Sequence, residues 1–248
     1  MTIDINCDMG ESYGRFQIGN DQAIMPYISS CNIACGHHGG DPSTIIDTIE
    51  LGVSLNKNIG AHPSYPDHLG FGRRSMKLSY KEAFDLVAFQ VASLYTLADR
   101  AGSRLSHVKV HGALYNDAAK DPHLAKPIVD AIHYLDPGLR VFTLPGSEVA
   151  KAAKIKGLIV WNEAFADRRY NEDLSLQSRS IEGAVIEDPE MASEQVLNIV
   201  KEHKVTTVNG HSAAIKAETI CIHGDTPTAI PIAQAIYNKL NQSGYIIK

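Results

Sequence analysis

The sequence predicts an α/β protein folded as a closed (β/α) barrel with seven parallel strands. Three observations lead there. Short apolar strands alternate with helical stretches along the chain. Each clearly patterned strand is apolar on one parity only, whereas strands of an open sheet covered by helices on both faces are apolar throughout. Titratable residues also fall at the carboxyl ends of several strands, where barrel enzymes gather their sites.

The first strand spans 3–8, with Ile3 and Ile5 alternating with Asp4, Asn6 and Asp8. The second, 30–35, sets Ile33 and Cys35 against Asn32, Ala34 and Gly36. The third, 58–62, sets Ile59 and Ala61 against Asn58, Gly60 and His62, and the fourth, 107–111, sets Val108 and Val110 against Lys109 and His111. Strands at 140–144 and 158–161 follow. The seventh, 219–223, sets Ile220 and Ile222 against Cys221 and His223. In a barrel the apolar parity packs on the outer helices and the other parity faces the lumen.

Helices at 42–56, 80–101, 122–135, 147–155, 189–203 and 226–242 fit between these strands. Asp41 precedes the first, and Ser79 with Glu82 makes a capping box for the second. Asp121-Pro122, Asp188-Pro189 and Asp225-Thr226-Pro227 each place an acceptor before a first turn that contains proline. Residues 205–208 look like a strand, yet the segment to the next strand is too short for a crossover helix, so a local hairpin is expected. No linker interrupts the pattern, and 1–248 is read as one domain.

Composition narrows the function. A chain of 248 residues with 44% hydrophobic content buries a full core. Its formal charge of −5 has no basic stripe, which leaves nucleic acid and anionic membranes without support. The start, MTIDINCDMGES, does not resemble a signal peptide, and no segment approaches the ~20 apolar residues of a membrane span. A cytoplasmic location is expected, in keeping with four scattered cysteines. Cys7, Cys31 and Cys35 take the helix-facing parity; Cys221 faces the lumen without a zinc-thiolate pattern. There is no P-loop, and GFGRR (70–74) lacks the strand that a dinucleotide fingerprint requires.

The rim carries the chemistry. Asp8, His62, His111 and His223 stand at strand ends, and His37 and His38 follow the second strand. Glu11 adds a carboxylate beside Asp8, suited to proton transfer or cation binding. An inward Lys109 requires an anion, either a substrate group or a structural ion-pair partner. Arg73 and Arg74 read as a carboxylate or phosphate clamp. The polar segment 166–179 is either a lid or a solvated excursion.

NCDMGESYG, NIACGHHGGDP, GAHPSYPD with GFGRR, KVHGALYN and CIHGDTP resemble, in that order, the LamB/YcsF family, from Asn6 nearly to the C-terminus. Two positions depart from the family pattern. His37 stands where an aromatic is common and Val110 where a proline is, so His38 matches the family histidine. The resemblance implies a seven-stranded, TIM-like barrel of the glycoside hydrolase/deacetylase type. It implies an ATP-dependent 5-oxoprolinase activity that turns 5-oxoproline, ATP and water into glutamate, ADP and phosphate, with two further subunits, B and C. ATP then enters as co-substrate with Mg2+.

On this reading Lys109, Arg73 and Arg74 meet phosphate and carboxylate. His38, His62, His111 and His223, with Asp8, Glu11, Asp41 and Asp225, supply acid and base. Asn6, Asn32, Asp41 and Asn116 are added as substrate contacts. A bound transition metal stays open, since imidazoles and a carboxylate suit zinc but the HxxxH helix spacing of related deacetylases is absent. Two other readings stand beside this one: a stand-alone metal-dependent deacetylase or amidohydrolase, and a non-catalytic ligand-binding subunit. All three readings are compatible with a homo-oligomer.

Overall fold

A computed structural model describes residues 1–248. Parallel strands β1 (Thr2–Met9), β2 (Ser30–Ala34), β3 (Asn58–His62), β4 (Leu105–Val108), β5 (Arg140–Thr143) and β6 (Ile159–Phe165) pair in sequence order. The expected hairpin, β7 (Lys204–Thr206) with β8 (Ser212–Ala214), is antiparallel and stands outside the sheet. Strand β9 (Thr219–Ile222) then pairs with both β6 and β1, which closes a seven-stranded barrel. A short β10 (Ile246–Ile247) adds to the start of β1.

The helices are α1 (Asp21–Ile24), α2 (Pro42–Ser54), α3 (Tyr80–Arg100), α4 (Gly112–Ala118), α5 (Pro122–Leu135), α6 (Glu148–Lys156), α7 (Pro189–Leu197) and α8 (Ala229–Gln242). Asp41 caps α2 by accepting from Thr44 N at 2.9 Å, and both halves of the Ser79–Glu82 box on α3 are formed. Asp121, Ser147 and Asp188 cap α5, α6 and α7. Asp225 does not cap α8 as its spacing suggested. That helix starts later, behind Thr228 and without a side-chain cap, because the Asp225 carboxylate is drawn to Arg73 instead, at 2.6 Å. Helix α7 runs on into a π turn, Asn198–Glu202, that ends at His203.

Two strands, β4 and β6, differ from expectation by more than one residue. Pairing in β4 stops at Val108, and His111 becomes the N-terminal flank of α4, a helix the strand-like pattern concealed. The backbone between stays extended, with Lys109 N donating to Ala61 O and His111 N to Pro63 O, so the alternation of side chains survives. Strand β6 continues past Trp161 to Phe165, which brings Glu163 into the lumen.

The apolar parity, Ile5, Ile33, Ile59, Val108 and Ile220, is fully buried in one core that runs from Ile3 to Tyr245. The lumen is layered. At its amino-terminal end Arg140 lies over Trp161, Trp161 stacks on Phe142, and Phe142 stacks on His107 at 4.0 Å. His107 crosses the barrel above Gly60, where a Cβ would lie 2.1 Å from its ring nitrogen. Above this, Asn32 Nδ2 donates to Asn6 Oδ1 at 2.7 Å and to Asp8 Oδ1 at 2.8 Å, and Asn6 donates to Thr219. Burial of these groups is tolerated because they satisfy one another. No helix is long and apolar enough to cross a membrane.

Candidate active site

The lumen opens at the carboxyl ends of the strands into a cavity of about 410 Å³. Asp8, at the end of β1, forms its floor with Lys109. Lys109 Nζ lies 2.9 Å from Asp8 Oδ1, 2.9 Å from Glu163 Oε1 and 3.0 Å from Cys221 Sγ. Tyr115 donates to the other Glu163 oxygen at 2.7 Å. Burial opposes the Lys109 charge, but the facing carboxylates outweigh it and hold the ammonium well above its ordinary pKa. Burial likewise opposes ionisation of Asp8, yet His62 and Lys109 together hold its carboxyl well below the usual range. Glu11 is pushed the other way, well above that range, by burial and by the charge of Asp8. Two neighbouring carboxyl groups are thus split into an anion and a proton carrier.

Three histidines meet behind the floor. His62 Nδ1 lies 2.6 Å from Lys109 O, His111 Nε2 lies 2.9 Å from Phe71 O, and the remaining nitrogens, His62 Nε2 and His111 Nδ1, face each other at 2.9 Å. A carbonyl oxygen only accepts, so both outer nitrogens carry hydrogen. The inner pair would then oppose two lone pairs unless a proton or a cation lies between them. His62 Nε2 is also 3.2 Å from Asp8 Oδ2. His38 stacks on His111 at 3.7 Å and places Nε2 3.1 Å from Glu11 Oε1. Burial holds the His38 and His111 imidazoles well below their ordinary pKa.

The GFGRR segment orients this cluster. Phe71 and Gly72 both take positive φ, 53° and 63°, which turns the Phe71 carbonyl onto His111. A Cβ at Gly72 would lie 2.8 Å from His111 Cδ2 and 2.9 Å from His38 Cβ, so only glycine fits. Its two arginines part company. Arg73 lines the cavity and pairs with Asp225. Arg74 turns away to Asp67, whose pKa its hydrogen bonds pull down to about 2.

The remaining expected residues take distinct places. His223 lines the cavity, its Nδ1 2.9 Å from both oxygens of Asp167. Glu11 and His38 lie one layer behind the cavity, and Asn6 and Asn32 lie beneath it, fully buried. Asn116 is exposed at the cavity edge and donates to Gly112 O. Asp41 remains a helix cap, also accepting from Gly14 N, and is not brought to the cavity.

Pattern reading missed Glu163, Asp167, Arg168 and Arg179. Glu163 keeps the lumen parity two residues past Trp161, so a longer strand would have revealed it. The other three belong to the 166–179 segment, which walls the cavity. It is anchored by the fully buried Tyr170, whose hydroxyl accepts from Phe165 N at 2.6 Å.

The ligand atoms of Glu11, His38, His62 and His111 lie within 4.8 Å of one another. The parallel His38 and His111 rings cannot aim in-plane lone pairs at one ion. A cation is therefore best held by His62, His111 and Glu11, with His38 supporting Glu11 and backbone carbonyls orienting the two ligand imidazoles. Asp8, Cys221 and His223 also converge, but Lys109 already supplies the positive charge there.

The profile of the LamB/YcsF family matches residues 3–248. The chain belongs to the LamB/YcsF family. Among LamB/YcsF relatives, a Bacillus cereus protein named as the A subunit of 5-oxoprolinase is 47% identical over 243 residues, 97% of this chain and 96% of its own. One of the same name from Bordetella parapertussis is 47% identical over 246 residues, 99% and 98% of the two chains. The crystal structure of a lactam utilization protein from Thermus thermophilus superposes with a TM-score of 0.95 at 42% identity, covering 100% of this chain and 99% of that one. A family 4 carbohydrate esterase from Streptomyces lividans shares the fold alone, at 9% identity and a TM-score of 0.51, over 99% of this chain and 91% of that one.

Proposed function

We propose that this LamB/YcsF chain is the A subunit of an ATP-dependent 5-oxoprolinase. It opens the lactam of 5-oxo-L-proline to L-glutamate while ATP, as its Mg2+ complex, becomes ADP and phosphate, and it works with subunits B and C. One observation carries the chemistry: an ionised Asp8 and a proton-bearing Glu11 flank a histidine pair at the floor of a cavity of small-molecule size. Opening an unactivated amide needs a base for water and a proton donor for the leaving nitrogen. His223, held by Asp167, is the base in this reading. The His62–His111 pair, backed by Glu11, is the donor. Lys109 keeps Asp8 ionised, and Arg73 faces the anionic part of the substrate. A divalent cation on Glu11, His62 and His111 would take the place of the donor's proton and would instead polarise the amide oxygen when bound. The four free, buried cysteines accord with a cytoplasmic location.

The test is reconstitution. The chain mixed with B and C should release glutamate and ADP together, and glutamate release without ATP consumption would reject the proposal. The Glu11–His62–His111 cluster favours one second reading, a stand-alone metal-dependent amidohydrolase. That reading requires product from the chain and a divalent metal alone.

A further inference from the structure

Three guanidinium groups, those of Arg73, Arg168 and Arg179, line the same cavity. Arg168 is buried to 7% exposure; one Nη donates to Gln177 O, while Nε has no partner at all. Arg73 lies 2.6 Å and Arg179 4.0 Å from the same carboxylate, Asp225. The other acids nearby are already engaged. Asp167 gives both oxygens to His223, Asp8 is held by Lys109 and His62, and Asp117 accepts from Tyr65 and Ser75. Burial, then the charge of Arg179, pushes the Arg168 pKa down to about 10 against the opposite pull of Asp167. Three guanidinium forks thus surround one cavity, with a single carboxylate, Asp225, bridging two of them and Asp167 facing the third.

We infer that Arg73, Arg168 and Arg179 form an oxyanion subsite that takes the phosphoryl group of a phosphorylated ligand. Three planar forks around one cavity offer more donors than two carboxylate oxygens accept, and suit the three terminal oxygens of a phosphoryl group. Ser178 lies on the same wall and offers a hydroxyl. The inference deepens the ATP-dependent reading and rests on it for the class of ligand.

The test is calorimetric titration of the full chain with inorganic phosphate and, separately, with 5-oxo-L-proline. The wild type should bind phosphate saturably, and Arg168→Met should weaken that binding at least tenfold while leaving 5-oxo-L-proline affinity within twofold. Arg179 is partly exposed, so Arg179→Met serves as a second variant that spares the fold, checked by circular dichroism; a loss of about fivefold is expected. Saturable phosphate binding that both variants retain, no saturable binding by the wild type, or selective loss of 5-oxo-L-proline would overturn the inference. Reconstituted complex assayed for ATP-dependent glutamate release separates the two failures. An inactive complex with intact phosphate binding counts against the proposed function alone, and an active complex without phosphate binding against the subsite alone.

Discussion

The Lys109 ammonium is the whole electrostatic support of one Glu163 oxygen. Oε1 lies 2.9 Å from Nζ and has no hydrogen-bond partner. The same ammonium holds Asp8. Lys109→Met therefore leaves one buried Glu163 oxygen unpaired and Asp8 with only His62 and Asn32, and it should cost about 3–5 kcal/mol of stability along with activity. Urea denaturation measures this. Adding Glu163→Gln should recover part of the loss, and a lone Lys109→Met with unchanged stability would show that the ammonium serves substrate rather than the fold.

Glu11 supplies a pH prediction. Its carboxyl pKa is raised by burial and by Asp8, so the folded state favours the protonated form. Relative stability from this group is full below the unfolded value of about 4.3 and declines as pH rises through the folded value. Turnover should fall over the same alkaline limb if the proton is used. Glu11→Gln keeps the shape, should lower turnover by roughly 100-fold or more, and should abolish that limb in a pH–rate profile.

The two arginines of GFGRR should separate cleanly. Arg73→Gln removes a cavity cation and should depress turnover at least tenfold. Arg74→Gln should leave turnover within about twofold, because its partner Asp67 lies away from the cavity. Its effect is on acid stability. Asp67 contributes above about pH 4, and that contribution is lost as pH falls through about 2, so the variant should unfold at a higher pH in an acid titration followed by circular dichroism.

Gly72→Ala tests the strained turn. The added methyl group meets both His38 and His111 at a φ of 63°. Turnover should drop more steeply than melting temperature, since His111 is displaced while the core is untouched. Equal behaviour of variant and wild type in glutamate release would show that His111 orientation is not needed.

Strand parity made most of the barrel legible. Asp4, Asn6 and Asp8 alternate with Ile3 and Ile5 because one face meets helices and the other a polar lumen, and that alternation also placed Lys109 and His111 inward. What stayed hidden depends on contacts distant in sequence. Arg73 and Arg74 are equivalent in sequence, and only the nearness of Asp225 to one and Asp67 to the other separates them. Arg168 and Arg179 sit in a loop without periodicity, so no pattern could aim them at the cavity. Asn6 and Asn32 faced inward as expected, but lumen depth, which sequence does not encode locally, put them below it.

Strand β10 has a consequence for engineering. Ile246 N donates to Met1 O at 2.9 Å and Lys248 N to Ile3 O at 3.1 Å, so the two chain ends are neighbours at the pole opposite the cavity. A circular permutant that joins them and opens at the exposed turn Asn209–Gly210 would keep every pairing of the barrel. A protein fused at either end would hang from the closed pole, leaving the mouth free for whatever docks over it.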